Sequence, residues 1–137
     1  MRIDVMKIFF NKHLMLIKKT NTFVMEITFS DKKLEKLAND YKKCQKEMGA
    51  DRAKRYNKRL GDLQNAVTLE DVRNLPGHYH ELTENRKGQW SCDLEQPYRL
   101  IFIPHKNPIP TNDNGQYIWN EITGVQIIEI INYHKEN

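Results

Sequence analysis

The sequence predicts an α+β domain: two N-terminal antiparallel helices packed on a twisted, mainly antiparallel β-sheet. Three observations lead there. Met25, Ile27 and Phe29 alternate with polar residues, as in a half-buried strand. Apolar residues then recur at intervals of three and four from Leu34 to Val67. Beyond Gly77 the period changes to two, and no helical stretch separates the later strands. Successive strands with short links pair antiparallel, and helices set apart from strands define the α+β class.

Each element has its own signal. Residues 1–24 are apolar and basic without a clear period, and read as an N-terminal extension. Met25 is a candidate start of the protein, which would make the first 24 residues an over-extended reading frame; the alternative is an extra strand or helix. Residues 25–137 form the single domain. Ser30 is placed to cap a first helix, with Leu34, Leu37, Tyr41, Cys44 and Met48 as its apolar stripe and Gly49 as its left-handed end. A second helix starts near Asp51, with Ala53, Tyr56, Leu60, Leu63 and Val67 on one face. The short connection makes the two a hairpin.

After it, Thr68-Leu69-Glu70-Asp71 reads as a capped turn and Leu75-Pro76-Gly77 as a loop. Strands are expected at 78–82, 88–95 and 98–103, a hairpin arm at 117–122, and a central strand at 125–131. Residues 104–114, rich in Pro and Asn, read as an irregular loop. Trp90 is expected in the core.

Composition narrows the function. The chain has 137 residues, of which 39% are hydrophobic, enough for one modest core. Its longest apolar runs are about four residues, against the roughly 20 that a membrane span needs. No signal peptide is read at the start. Two cysteines do not make a disulfide framework, so a reducing cytoplasm is the expected compartment. The net charge is +4, while residues 31–60 hold eleven Lys or Arg against five Asp or Glu. This basic hairpin is either a solvated helical surface or a face for a polyanion. His78, His80, Cys92, His105 and His134 lack any metal-ligand spacing, so no metal and no cofactor is expected. Neither a glycine-rich phosphate loop nor a Gly-x-Ser-x-Gly elbow is present.

The C-terminal half carries a resemblance. Leu75-Pro76-Gly77, His80-Glu81-Leu82, Gly88-Gln89-Trp90-Ser91, Tyr98-Arg99-Leu100-Ile101-Phe102 and Tyr133-His134 follow one another in the order of the RelE/ParE toxin superfamily. Within it the chain is most similar to the HigB-like killer proteins of type II toxin–antitoxin modules. The resemblance covers residues 25–137, with an insertion near 104–122 where those proteins have a short turn. It implies a RelE-like fold and a metal-independent endoribonuclease that cuts mRNA on the ribosome and inhibits translation. It also implies a neutralising helix-turn-helix, HigA-like antitoxin, with operator DNA contacted only through that partner. The alternatives are a non-catalytic, ParE-like binder of DNA gyrase and an inactive relic that binds only its antitoxin.

RNA cleavage without metal needs a base for the 2′-hydroxyl, donors for the phosphate and an acid for the leaving 5′-oxygen. The resemblance places His80 at the catalytic histidine position; without it, a strand histidine is better explained by a bond to a backbone carbonyl. Arg99 lies inside an apolar strand, on the face of Ile101 and Ile103, and either binds phosphate or pairs with Asp93 or Glu95. Tyr133 and His134 match the terminal stacking and acid residues, and as strand neighbours they point to opposite faces. Arg86 and Lys87 sit at a hairpin tip and are RNA-binding candidates, together with Lys54 and Arg55 of the second helix. Thr83 stands where HigB-like relatives commonly carry lysine.

Overall fold

The computed structural model describes residues 25–133; the 1–24 extension and His134 lie outside the described residues. The fold is α+β, with a five-stranded mixed sheet. Strand β1 (Glu26–Phe29) is followed by helices α1 (Lys32–Asn39), α2 (Tyr41–Met48) and α3 (Ala50–Asn65). A 3-10 turn at Leu69–Asn74 leads to β2 (His80–Glu81), β3 (Trp90–Asp93), β4 (Tyr98–Pro104) and β5 (Gly124–Asn132). The strand order is β1-β5-β4-β3-β2. The β1–β5 pair is parallel and the other three are antiparallel. The central strand is therefore β4, and β5, expected at the centre, lies one place from the edge.

The first predicted helix is in fact two. Asp31, not Ser30, caps α1 by accepting from the Leu34 amide at 3.0 Å. Ser30 instead donates its hydroxyl to the Ile127 carbonyl. Asp40 leaves the helical region and caps α2 through the Lys43 amide. An Asp competes for backbone hydrogen bonds, which favours a cap over a helix interior. The break keeps the stripe intact: Leu34, Leu37 and Cys44 are buried. At Gly49 (φ 88°, ψ 161°) the chain turns so that α3 packs on α2. The positive φ is as expected, but the extended ψ is not that of a left-handed helical residue. Val67 lies past the end of α3 and is 49% exposed.

The predicted Thr68 turn is present as a capping box, with Asp71 accepting from both the amide and the hydroxyl of Thr68. Strand 78–82 shrinks to two residues because His78 takes φ 55°. The hairpin arm expected at 117–122 is absent. A single Thr111–Tyr117 bridge precedes a 3-10 turn at Trp119–Glu121. Trp119 anchors that turn, stacking edge-on against Trp90 and donating its indole N–H to Glu81 at 2.9 Å.

The core fills the space between the helices and one face of the sheet. Met25, Ile27, Trp90, Cys92, Leu100, Phe102, Val125 and Ile127 supply the sheet side. Ala53, Tyr56, Leu60 and Leu63 supply much of the helical side. Trp90 is fully buried, as the sequence predicts. The Tyr56 hydroxyl donates to the Leu34 carbonyl at 2.7 Å, tying α3 to α1. On the opposite face of the sheet, Ser91 and Ile101 are also fully buried.

Candidate active site

That opposite face is defined by register. His80 pairs with Ser91, Ser91 with Ile101 and Ile101 with Glu129, which makes one row across four strands. The next row, two residues or about 7 Å along, is Asp93, Arg99 and Ile131. The register shift between β4 and β5 leaves β4 regular, because the extra residue is Ile128 on β5. Arg99 therefore shares its face with Ile101 and Ile103, as alternation predicts. Arg99 and Tyr98 point to opposite faces, so Arg52, whose guanidinium lies 3.6 Å above the Tyr98 ring, sits on the helical side.

Three of the four catalytic candidates fall on this face. Arg99 is half-buried, with Asp93 Oδ1 3.7 Å from its Nε. That distance is an ion pair but not a hydrogen bond. Arg99 Nε and Asp93 Oδ1 are both buried without a hydrogen-bond partner, and so is Ser91 Oγ. Of the two carboxylates expected for Arg99, Asp93 is the one beside it; Glu95 pairs with Arg52 instead. Tyr133, 42% exposed, lies with its ring 4.0 Å from the Arg99 guanidinium carbon.

His80 comes from the short edge strand. Its Nδ1 is 2.8 Å from the His78 carbonyl oxygen. A carbonyl oxygen only accepts, so Nδ1 carries the hydrogen, and in the neutral ring Nε2 keeps its lone pair. The carbonyl bond expected for a purely structural histidine is thus present, and it orients the ring for chemistry at the other nitrogen. The His78 ring stacks on it at 4.0 Å, and His78 Nδ1 lies 3.8 Å from Asp93 Oδ2. Asp93 therefore faces both His78 and Arg99.

Arg86 reaches over the face. Its guanidinium donates to Gln89 Oε1 at 2.8 Å and to Glu129 Oε2 at 3.1 Å. Glu129 belongs to β5, so the 84–86 turn leans across β3 and β4 to meet it. Lys87 stands 5.7 Å from the centre of the Tyr117 ring, against the insertion. The structure does not bring Lys54 and Arg55 to this site. They line a separate groove with Lys58, Arg59 and Glu95 on the helical side. Cys92 and Cys44 are likewise core residues. Burial, and then Asp40, pushes the Cys44 thiol up to about 11. Burial pushes the Cys92 thiol well above its ordinary range. Neither is a nucleophile under ordinary conditions.

No protein-family model matches the chain, and no curated protein matches it. The case for a function therefore rests on the residues themselves. Among the described residues, no three His, Cys, Asp or Glu side chains are grouped to hold a metal ion. No described helix is long and apolar enough to cross a membrane. Sequence reasoning passed over Ser91 and Glu129. Glu129 had a signal, being the one carboxylate within an otherwise apolar run; Ser91 is marked only by strand register.

Proposed function

We propose that the chain is a RelE-like, HigB-type toxin of a type II toxin–antitoxin module, acting as a ribosome-dependent mRNA endoribonuclease. One observation carries this reading: His80, Arg99 and Tyr133 share a single sheet face with Arg86. A structural role alone does not require a histidine, two arginines and a tyrosine on one face beside buried, unpartnered polar atoms.

The chemistry follows from the rows. A phosphodiester held by Arg99 and Tyr133 has His80 in the adjoining row, while Ser91 and Ile101 lie fully buried beneath. His80 Nε2 takes the proton of the 2′-hydroxyl. The 2′-oxygen attacks the adjacent phosphorus, and the bond to the 5′-oxygen breaks. Arg99 donates to the phosphate oxygens as charge builds on them, since its contact to Asp93 is too long to occupy its donors. The leaving oxygen receives a proton from the Tyr133 hydroxyl or from protonated His78. The products are a 2′,3′-cyclic phosphate and a 5′-hydroxyl. The Tyr133 ring, already held against Arg99, also offers a stacking surface for a base.

The partners that go with this reading are the ribosome, its mRNA and a helix-turn-helix antitoxin, all in the cytoplasm. The basic outer surface of the helices, with Lys54 and Arg55, then meets ribosomal RNA rather than the scissile strand. Expression from a tightly repressed promoter, with primer extension on a reporter mRNA, tests it. Growth arrest with cuts confined to translated regions is the expected result. Arrest without cuts points to the gyrase-binding alternative, and no arrest to the relic.

A further inference from the structure

The 104–122 insertion does more than link β4 to β5. It wraps the tip that carries Arg86 and Lys87: a Cβ on Gly88 would meet Ile109 Cδ1 at 3.3 Å. Between this wrap and the sheet lies a cleft of about 480 Å³, within the size range of small-ligand sites. Its floor is Ile103 and Gln126, paired neighbours on the same face as Arg99 and Ile101. Its walls include Lys87, Gln89, Lys106 and Ile109, and no Asp or Glu lines it. Gln89 also accepts from Arg86, which donates to Glu129, so one arginine links the cleft to the row of His80. Ile103 lies four residues, about 13 Å of strand, beyond Arg99. The cleft wall is firmly placed, because the His105 ring packs so closely on Gly124 that a Cβ there would sit 2.6 Å from it.

We infer that this cleft is a subsite for one ribonucleotide flanking the scissile phosphate, so that the insertion sets which mRNA sequences are cut. The inference rests on the nuclease reading above. Lys87 and Lys106 attract the backbone phosphate. Ile103 and Ile109 offer an apolar surface to the base. Gln126, whose amide has no hydrogen-bond partner among the described residues, reads the base edge with one donor and one acceptor.

The test maps cut sites by sequencing RNA 5′ ends in cells expressing wild type, Gln126→Ala or Lys106→Glu, with thermal melting as the folding control. Lys106 is exposed, so its variant folds normally. Wild type is expected to show a nucleotide preference at one position flanking the cut. Gln126→Ala should still cut, but with that preference reduced about fivefold, the low end of one bidentate readout. Lys106→Glu should weaken cutting without moving it. If wild type cuts and both folded variants cut with unchanged pattern and frequency, the subsite is wrong and the nuclease reading stands. If folded Gln126→Ala stops cutting altogether, the residue belongs to the catalytic machinery and the subsite is again wrong. If wild type makes no cuts, both readings fall.

Discussion

The two faces of the sheet use the same strands for opposite purposes. In β4, Leu100 and Phe102 point into the helical layer and are fully buried against Trp90 and the helices. Arg99 and Ile103 alternate with them and face away. In β3, Trp90 and Cys92 serve the core, while Ser91 and Asp93 carry polar atoms that are buried but unbonded. A period of two lets one strand satisfy packing on one side and hold chemistry on the other without conflict. Buried polar atoms without partners occur on both sides: Asn57, Asp62, Gln64 and Trp90 on the helical side, and Ser91, Asp93 and Arg99 on the other.

Substitutions that strike one face and spare the other sharpen that contrast. Phe102→Ala is expected to cost about 3–5 kcal/mol, read as a lower urea midpoint, because it empties the centre of the covered face. His80→Gln and Arg99→Gln should leave the urea midpoint nearly unchanged yet reduce mRNA cutting by about 100-fold or more. Comparable losses of stability for the Phe102 and Arg99 variants would abolish the distinction between the faces. Gly77→Ala joins the two faces. Gly77 has φ 117°, and a Cβ would lie 2.7 Å from Nε of Arg59. Arg59, 8% exposed, donates from that atom to the Asp93 carbonyl at 2.6 Å. A loss of about 1–3 kcal/mol in unfolding should therefore come with reduced cutting, through Asp93.

Smaller effects lie within the helical layer. Asp40→Ala removes the cap of α2 and should cost about 1 kcal/mol, measurable as a lower Tm. The smallest effect is in alkali. The folded Cys44 thiol holds its proton up to about 11, against an ordinary value of 9.0. The unfolded chain thus releases this proton first, and stability falls as pH rises between those values. Thiol reagents at pH 8 should label neither cysteine until the chain unfolds.

What the sequence revealed followed from periodicity. Alternation in residues 98–103 placed Arg99 opposite Leu100 and Phe102, and the stripes from Leu34 to Leu63 marked the helical core face. Features that depend on single backbone angles were hidden. The helix break at Asp40 left the stripe spacing undisturbed, although Asn39-Asp40 was a visible pair of poor helix formers. The left-handed angle at His78 cut β2 short and stacked the two imidazoles, which no spacing rule foretells. Residues 117–122 alternate like a strand, but burial of Trp119 and its bond to Glu81 decide their path. At the site, His80, Arg99 and Tyr133 were individually visible. Their company with Ser91, Asp93 and Glu129 came only from the register of distant strands, while Lys54 and Arg55 stay with the helical layer.

The sheet order has one more consequence. β5 lies between β1 and β4, so the first and last described strands are neighbours, separated by nearly a hundred residues of chain. During synthesis β1 waits at an unpaired edge until residues 124–132 emerge, and contacts of such long range form late. Glu129 and Tyr133 arrive with β5. On the proposed reading, a nascent chain is harmless to the ribosome that makes it until β5 has emerged and paired.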